Sequence, residues 1–219
     1  MVAAANVHIH DNLIQNNAIG VGLGGAAGAL IEGNSLQSNY IGVGISHSPI
    51  DGTPSTGNTA QNNQITNSVH SGIYGDQDCD TNDLLNNTIT STVGAADGIY
   101  LWKSASNTIT GNTITGNPQY GIQLMGSNNN SITGNTLKGN LDGIRIRVSV
   151  WPEGAYPSSP NAIHDNLIYN NTNYDLYAET AVPGVDATLN YWGTSCDAPI
   201  KIFGSVSYVP WYIDESLTI

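Results

Sequence analysis

Asn107-Thr108-Ile109-Thr110-Gly111-Asn112-Thr113-Ile114-Thr115, followed shortly by Gly121-Ile122-Gln123-Leu124, is one unit of a phrase that runs seven times along the chain. The phrase is Asn-x-Ile-x-x-Asn-x-Ile, a short polar stretch, then Gly-Ile-x-Leu. Its second Asn falls at Asn12, Asn34, Asn63, Asn87, Asn112, Asn135 and Asn166, at intervals of 22, 29, 24, 25, 23 and 31 residues. Such a period marks a solenoid, because no repeat buries its apolar side alone and each must stack on the next. Inside the unit, apolar and polar residues alternate, which is strand periodicity. No stretch has helical spacing, and Asn, Gly, Thr and Ser all disfavour helix interiors. The repeat therefore predicts an all-β fold: a single-stranded right-handed parallel β-helix of about seven coils, each with three short strands.

Four inward columns follow from this stacking. They are Ile9-Ile31-Ala60-Leu84-Ile109-Ile132-Ile163, Ile14-Leu36-Ile65-Ile89-Ile114-Leu137-Ile168, Ile19-Ile41-Ile73-Ile99-Ile122-Ile144-Leu176 and Val21-Val43-Gly75-Leu101-Leu124-Ile146-Ala178. The recurring Asn is expected at a sharp corner, tolerating left-handed backbone while its amide bonds to the coils above and below. Asp97-Gly98 and Asp142-Gly143 resemble hairpin turns, but they recur at the coil period and read as corners.

From Val7 to about Ala178 the repeat resembles the parallel β-helix repeat family. That family includes a periplasmic nitrous-oxide-reductase maturation protein, many secreted surface proteins and mannuronan C5-epimerases. The resemblance implies the fold; sites grafted on a shared fold differ. The tail, Asn190-Tyr191-Trp192-Gly193 with Val206-Ser207-Tyr208-Val209-Pro210-Trp211, looks like the aromatic ending that closes many surface β-helices. The expected division is a β-helix over 1–189 and a capping segment of the same domain over 190–219. No comparable cap precedes Val7, so the first coil is expected to present an open edge for an upstream segment or for end-to-end self-association.

Composition bounds the partners. The 219 residues suffice for one domain with a continuous core. A net charge of −12 with five basic residues argues against nucleic-acid binding. The apolar run Ala26 to Ile31 is far too short to insert in a membrane. Extracellular or cell-surface placement rests on composition and the family resemblance, since no signal peptide is visible after Met1. Cys79 and Cys196 lie about four coils apart, roughly 19 Å at the spacing of strands in a sheet, so two free thiols are expected unless the tail doubles back.

Function is expected on the outward positions of the Gly-Ile-x-Leu strand. There Tyr74, Tyr100, Trp102, Arg145 and Arg147 would lie along one wall with Lys103 beside them. Aromatic faces stack on sugar rings, and Arg forks onto a carboxylate or sulfate, so the expected partner is an acidic polysaccharide. Insertions at 46–57 and 148–159 leave the same strand several coils apart and would wall a groove, bringing His47, Asp51, Trp151, Glu153 and Tyr156 to its ends. The competing view is that long side chains simply pack across coils on any exposed strand, leaving a rigid spacer or adhesin segment.

A third alternative is a polysaccharide lyase or C5-epimerase acting on uronates. Mannuronan epimerases carry Tyr-Gly-x-Asp-Pro-His here; this chain has Ser71-Gly72-Ile73-Tyr74-Gly75-Asp76 and lacks the Pro-His. A neutralising Arg145 or Arg147 with Tyr74, Tyr100 or Lys103 as base would satisfy the chemistry without identifying it. His8, His10 and His164 read as surface residues and His70 as a corner cap. No cofactor is required by any of these schemes. The acidic run from Asp76 to Asp83, with Asp76, Asp78 and Asp80, would suit calcium or be a solvated turn; it lacks the glycine and closing glutamate of an EF-hand. Thr-Ile-Thr at 88–90, 108–110 and 113–115 makes a small Thr array like that of ice-binding surfaces, and Thr is equally the ordinary polar strand residue.

Overall fold

A computed structural model describes residues 5–90, 93–150, 154–193 and 201–217. Three strands per coil build three parallel sheets. The first begins at His8–His10 and Leu30–Glu32, the second at Leu13–Gln15 and Ser35–Gln37, and the third at Ile19–Gly24 and Ile41–Ser46. Each strand pairs in register with its equivalent one coil away, as Ile109 with Ile132, Ile114 with Leu137 and Ile122 with Ile144. The chain is thus a parallel β-helix, with the inward Ile and Leu of all three sheets forming one continuous core. Seven three-strand coils end at Tyr174–Ala178.

Winding then continues. Val185–Asp186, a bridge at Tyr191 and Ile202–Phe203 make an eighth turn, and Val206–Ser207 with Tyr212 begin another. The expected boundary at residue 189 therefore falls inside a coil. At the other end the first coil pairs only upward among the described residues, and Leu13 and Ile19 are exposed there. No helix is long and apolar enough to cross a membrane among the described residues.

Corners explain the Asn signal. Asn12, Asn34, Asn63, Asn87, Asn112, Asn135, Asn166 and Asn190 form an unbroken ladder. In each rung the next Asn's Oδ1 accepts both the backbone N–H and the side-chain amide, at 3.0 and 3.0 Å for Asn63 onto Asn87. The amide also donates to the preceding coil, as Asn112 Nδ2 to Leu84 O at 2.8 Å. The left-handed residue is not this Asn but the one before it: Asp11, Gly33, Asn62, Asn86, Gly111, Gly134, Asp165 and Leu189 all have φ between 53° and 70°. Seven of the eight residues fit, since Gly, Asn and Asp enter that region at least cost, and Leu189 is the exception. Two further ladders occupy the other corners, through Asn58-Asn82-Asn107-Asn130-Asn161 and through Asn117-Asn140-Asn171.

In the third sheet a glycine column sets the register. A side chain at Gly42, Gly72 or Gly98 would lie 2.5–2.6 Å from the carbonyl of the next coil's glycine. Aligning those glycines places Val43 on Ile73 and Ile45 on Gly75. The inward columns therefore open with Val21-Val43-Ile73 and Leu23-Ile45-Gly75. Ile19 and Ile41 stand before the column glycine and align with Ser71, not in the core as the expected columns had them. Gly75 must itself be small, because its Cβ would sit 2.7 Å from Leu101 Cδ2.

Candidate functional site

Outward positions of the third sheet carry an aromatic strip running along the coil axis. Tyr74 and Tyr100 meet edge to face at 5.5 Å, and His70 lies 5.8 Å from Tyr74, 6.1 Å from Tyr100 and 5.4 Å from Tyr40. Tyr40 and His70 each stand two residues before a column glycine, which is why successive coils bring them together. That constant offset was the signal available in the sequence for both, and His70 is part of the strip rather than a corner cap. Burial is the main cause of each shift here. It pushes the Tyr74 phenol well above its usual range, reinforced by the Asp76 charge, and also raises Tyr100, with Asp97 adding to it and Arg147 opposing. It lowers His70. At neutral pH the strip is therefore uncharged.

The cations of the face have unequal freedom. Arg145 Nη1 donates to the fully buried Asp142 at 2.8 Å, and its guanidinium lies 3.8 Å from the Tyr177 ring and 5.0 Å from Tyr120. Lys103 is buried, with Nζ 3.9 Å above the Tyr156 ring. Trp102 Nε1 donates to Ser149 Oγ at 3.3 Å. Ser149 and Tyr156 pair across the base of the second insertion, so Trp102 and Lys103 form its footing. Lys138 stands near Tyr169, and Lys201 donates to Asn171 and Thr172 carbonyls. Arg147 alone of the five basic side chains has no ion-pair, ring or hydrogen-bond partner among the described residues. It is in register with Met125, whose sulfur accepts the Tyr100 hydroxyl at 3.2 Å.

At the lower end, His47 Nδ1 approaches Asp76 at 3.8 Å, while Asp51 is exposed on the first insertion. Trp151, Glu153 and Cys196 lie outside the described residues. Of the six proposed binding residues, Tyr74, Tyr100 and Arg147 share the open face, whereas Trp102, Lys103 and Arg145 are tied to neighbours.

The acidic run does not gather its carboxylates. Asp76 Oδ1 accepts the Tyr74 hydroxyl and the Gln77 N–H, Asp78 meets Gln77 Nε2, and Asp80 accepts the Ala105 N–H at 2.6 Å. The left-handed turn at Asp78 sends successive side chains to different neighbours. Among the described residues, no three His, Cys, Asp or Glu side chains converge to hold a metal ion. His8 and His10 come within 4.4 Å of each other, but they face separate carboxylates, Glu32 at 3.4 Å and Asp11 at 3.0 Å. The Cys79 thiol is buried and pushed up to about 11 by that burial, so it is not a ready thiolate ligand.

Several solved structures share the fold. The A-modules of two mannuronan C-5 epimerases of Azotobacter vinelandii, AlgE6 and AlgE4, match at 14% and 15% identity. Each has a TM-score of 0.79, over 96% of this chain and 57% and 58% of theirs. An alginate lyase from Paenibacillus sp. str. FPU-7 matches at 17% identity and TM-score 0.72, over 91% of this chain and 72% of that one. The chain thus spans a little over half the length of the two epimerase modules. No curated protein matches it by sequence. The family model described as periplasmic copper-binding protein (NosD) matches residues 1–154 and 97–191, and the chain belongs to that family.

Proposed function

We propose that the outer face of the third sheet binds an acidic polysaccharide outside the cytoplasm, the sugar chain running along the coil axis. Arg147 carries this reading: a guanidinium without a partner among the described residues stands beside an uncharged strip of Tyr74, Tyr100, His70 and Tyr40. A sugar ring's C–H face packs on such rings, and a carboxylate takes the fork of the arginine. Tyr74 and Arg147 are three coils apart, roughly 14 Å at the spacing of strands in a sheet, so the face spans several sugar units. The periplasmic description of the family and the folds named for mannuronan and alginate support the location and the partner class. The donor set described above does not fit a copper centre, and copper has no part in this reading.

Isothermal titration with oligomannuronate, oligogalacturonate and a neutral oligosaccharide tests it. Binding is expected for an acidic oligomer, about tenfold weaker in Arg147→Ala, as for loss of one charge-assisted contact. Absence of binding to every acidic oligomer contradicts it and favours the spacer role.

One observation favours a second reading, a lyase or C5-epimerase. The Tyr100 hydroxyl reaches the sulfur of Met125, the strand neighbour of Arg147, so phenol and guanidinium can address one uronate. The raised Tyr100 phenol would give a proton more readily than take one at neutral pH. Incubation with alginate or pectin, followed by ultraviolet absorbance for unsaturated product and NMR for C5 inversion, decides it. No change in either signal removes this reading.

A further inference from the structure

A second concavity lies on another face. A cavity of about 370 Å³ opens on the first sheet, lined among others by Asn129, Ser131, Pro160, Ala162, His164 and Asp186. Its origin is a single small side chain. The outward column there reads His8, Leu30, Thr59, Asp83, Thr108, Ser131, Ala162 and Asp186, and Ala162 is the smallest of the eight. A missing side chain between Ser131 and Asp186 leaves a dent with Pro160 and Ala162 as its apolar part. The volume is within the range of small-ligand sites, and an apolar floor with a few convergent polar groups is their usual make-up.

The polar groups are fixed in what they offer. His164 Nδ1 lies 2.9 Å from the Thr188 carbonyl, which can only accept, so Nδ1 carries a proton and, in the neutral imidazole, Nε2 is the acceptor. Asp186 uses Oδ1 to accept the Thr188 N–H at 3.1 Å and hydroxyl at 2.9 Å, and those bonds, the backbone one foremost, hold its carboxyl below the usual range. Asp186 Oδ2 then stands 3.9 Å from His164 Nε2, too far for a direct hydrogen bond. Two acceptors thus face one gap, and a ligand with two neighbouring donors fits them.

We propose that this cavity binds one neutral pyranose unit through a vicinal pair of hydroxyls, one donating to Asp186 Oδ2 and the other to His164 Nε2, with a C–H face of the ring on Pro160 and Ala162. Ser131 and Asn129 supply a hydroxyl and an amide for the remaining oxygens. The carboxylate of Asp186 excludes a uronate, so this site selects against the sugars expected on the third sheet. An ammonium group also presents several donors, but being strongly hydrated it gains little from an apolar floor. The inference is independent of the third-sheet face, which lies on a different sheet.

The test is a titration of the ¹⁵N-labelled full chain with methyl α-D-mannopyranoside, methyl β-D-glucopyranoside, glucuronate and ethylammonium, reading amide shifts at Ala162 and Asp186. At least one glycoside is expected to give saturable shifts, and glucuronate none. Asp186→Ala should weaken binding about tenfold or more, as for a lost bond to a charged group. Ala162→Leu, which fills an exposed dent without touching the core, should abolish it, and Arg147→Ala should leave it unchanged. Unaltered far-UV spectra would show both site variants folded. No saturable shift with either glycoside overturns the proposal, as does binding that survives in both variants or a response to ethylammonium exceeding that to sugar.

Discussion

Arg145 and Arg147 sit two residues apart on one strand, pointing to the same side, yet their surroundings assign them different work. Removing Arg145 leaves the buried Asp142 carboxylate without its partner and strips a cation from Tyr177. We expect Arg145→Ala to lose about 2 kcal/mol, less than a fully buried pair because the guanidinium is partly exposed, or about 5 °C in melting temperature. Arg147→Ala should leave melting unchanged and act on oligouronate affinity alone. Thermal melts and titrations of both variants separate these effects; the reverse pattern would reassign the two residues. In the sequence, alternation alone placed Tyr74, Tyr100, Arg145 and Arg147 on one wall. It could not tell the free arginine from the tied one, because Tyr120 and Tyr177 reach Arg145 only from adjacent coils. Nor could it foresee that Trp102 and Lys103 would anchor the second insertion, a contact made over 47 residues.

At the scale of the coil, stability rests on the corner ladders and on one costly carboxylate. Asn112→Ala would strip the acceptor shared by the Asn87 backbone and amide, and the donor to Leu84 O. These groups are buried, so a loss of about 3 kcal/mol is expected, readable by chemical denaturation. Asp97 is buried, its carboxyl accepts one hydrogen bond among the described residues, from the Tyr120 N–H, and burial raises its pKa from 3.8 to about 7. The folded state therefore holds a proton that the unfolded chain releases near pH 4. Stability from this group is full below that value and falls as pH rises through about 7, by about 3 kcal/mol after allowance for relaxation. Asp97→Asn keeps the acceptor and removes the charge. It should melt about 8 °C higher than the parent at pH 8 and alike at pH 4; equal melts at both would contradict the assignment. One ladder was legible because its Asn never fails. The other two were not, since Ala29 precedes Asn58 in one column and Ser68 follows Asn39 in the other, interrupting their Asn pattern.

For the whole molecule, the period and alternation determined nearly everything about the architecture. Seven Asn-spaced units became seven coils, and the inward columns of the first two sheets stack as their spacing required. The misplacement in the third sheet has a plain cause: Ile19 and Ile41 are as apolar as the core, and only the glycine column reveals that they precede it. The tail was harder still, because its short strands carry no repeat phrase, yet Val185, Ile202 and Val206 extend the same sheets. The small-ligand cavity was invisible in sequence, arising from one alanine between a corner loop and an Asp. The most direct test of the central claim is a crystal structure of the protein soaked with an oligouronate. The account predicts sugar density over Tyr74 and Tyr100 with a carboxylate on Arg147; an empty third-sheet face, or sugar bound only elsewhere, would contradict it.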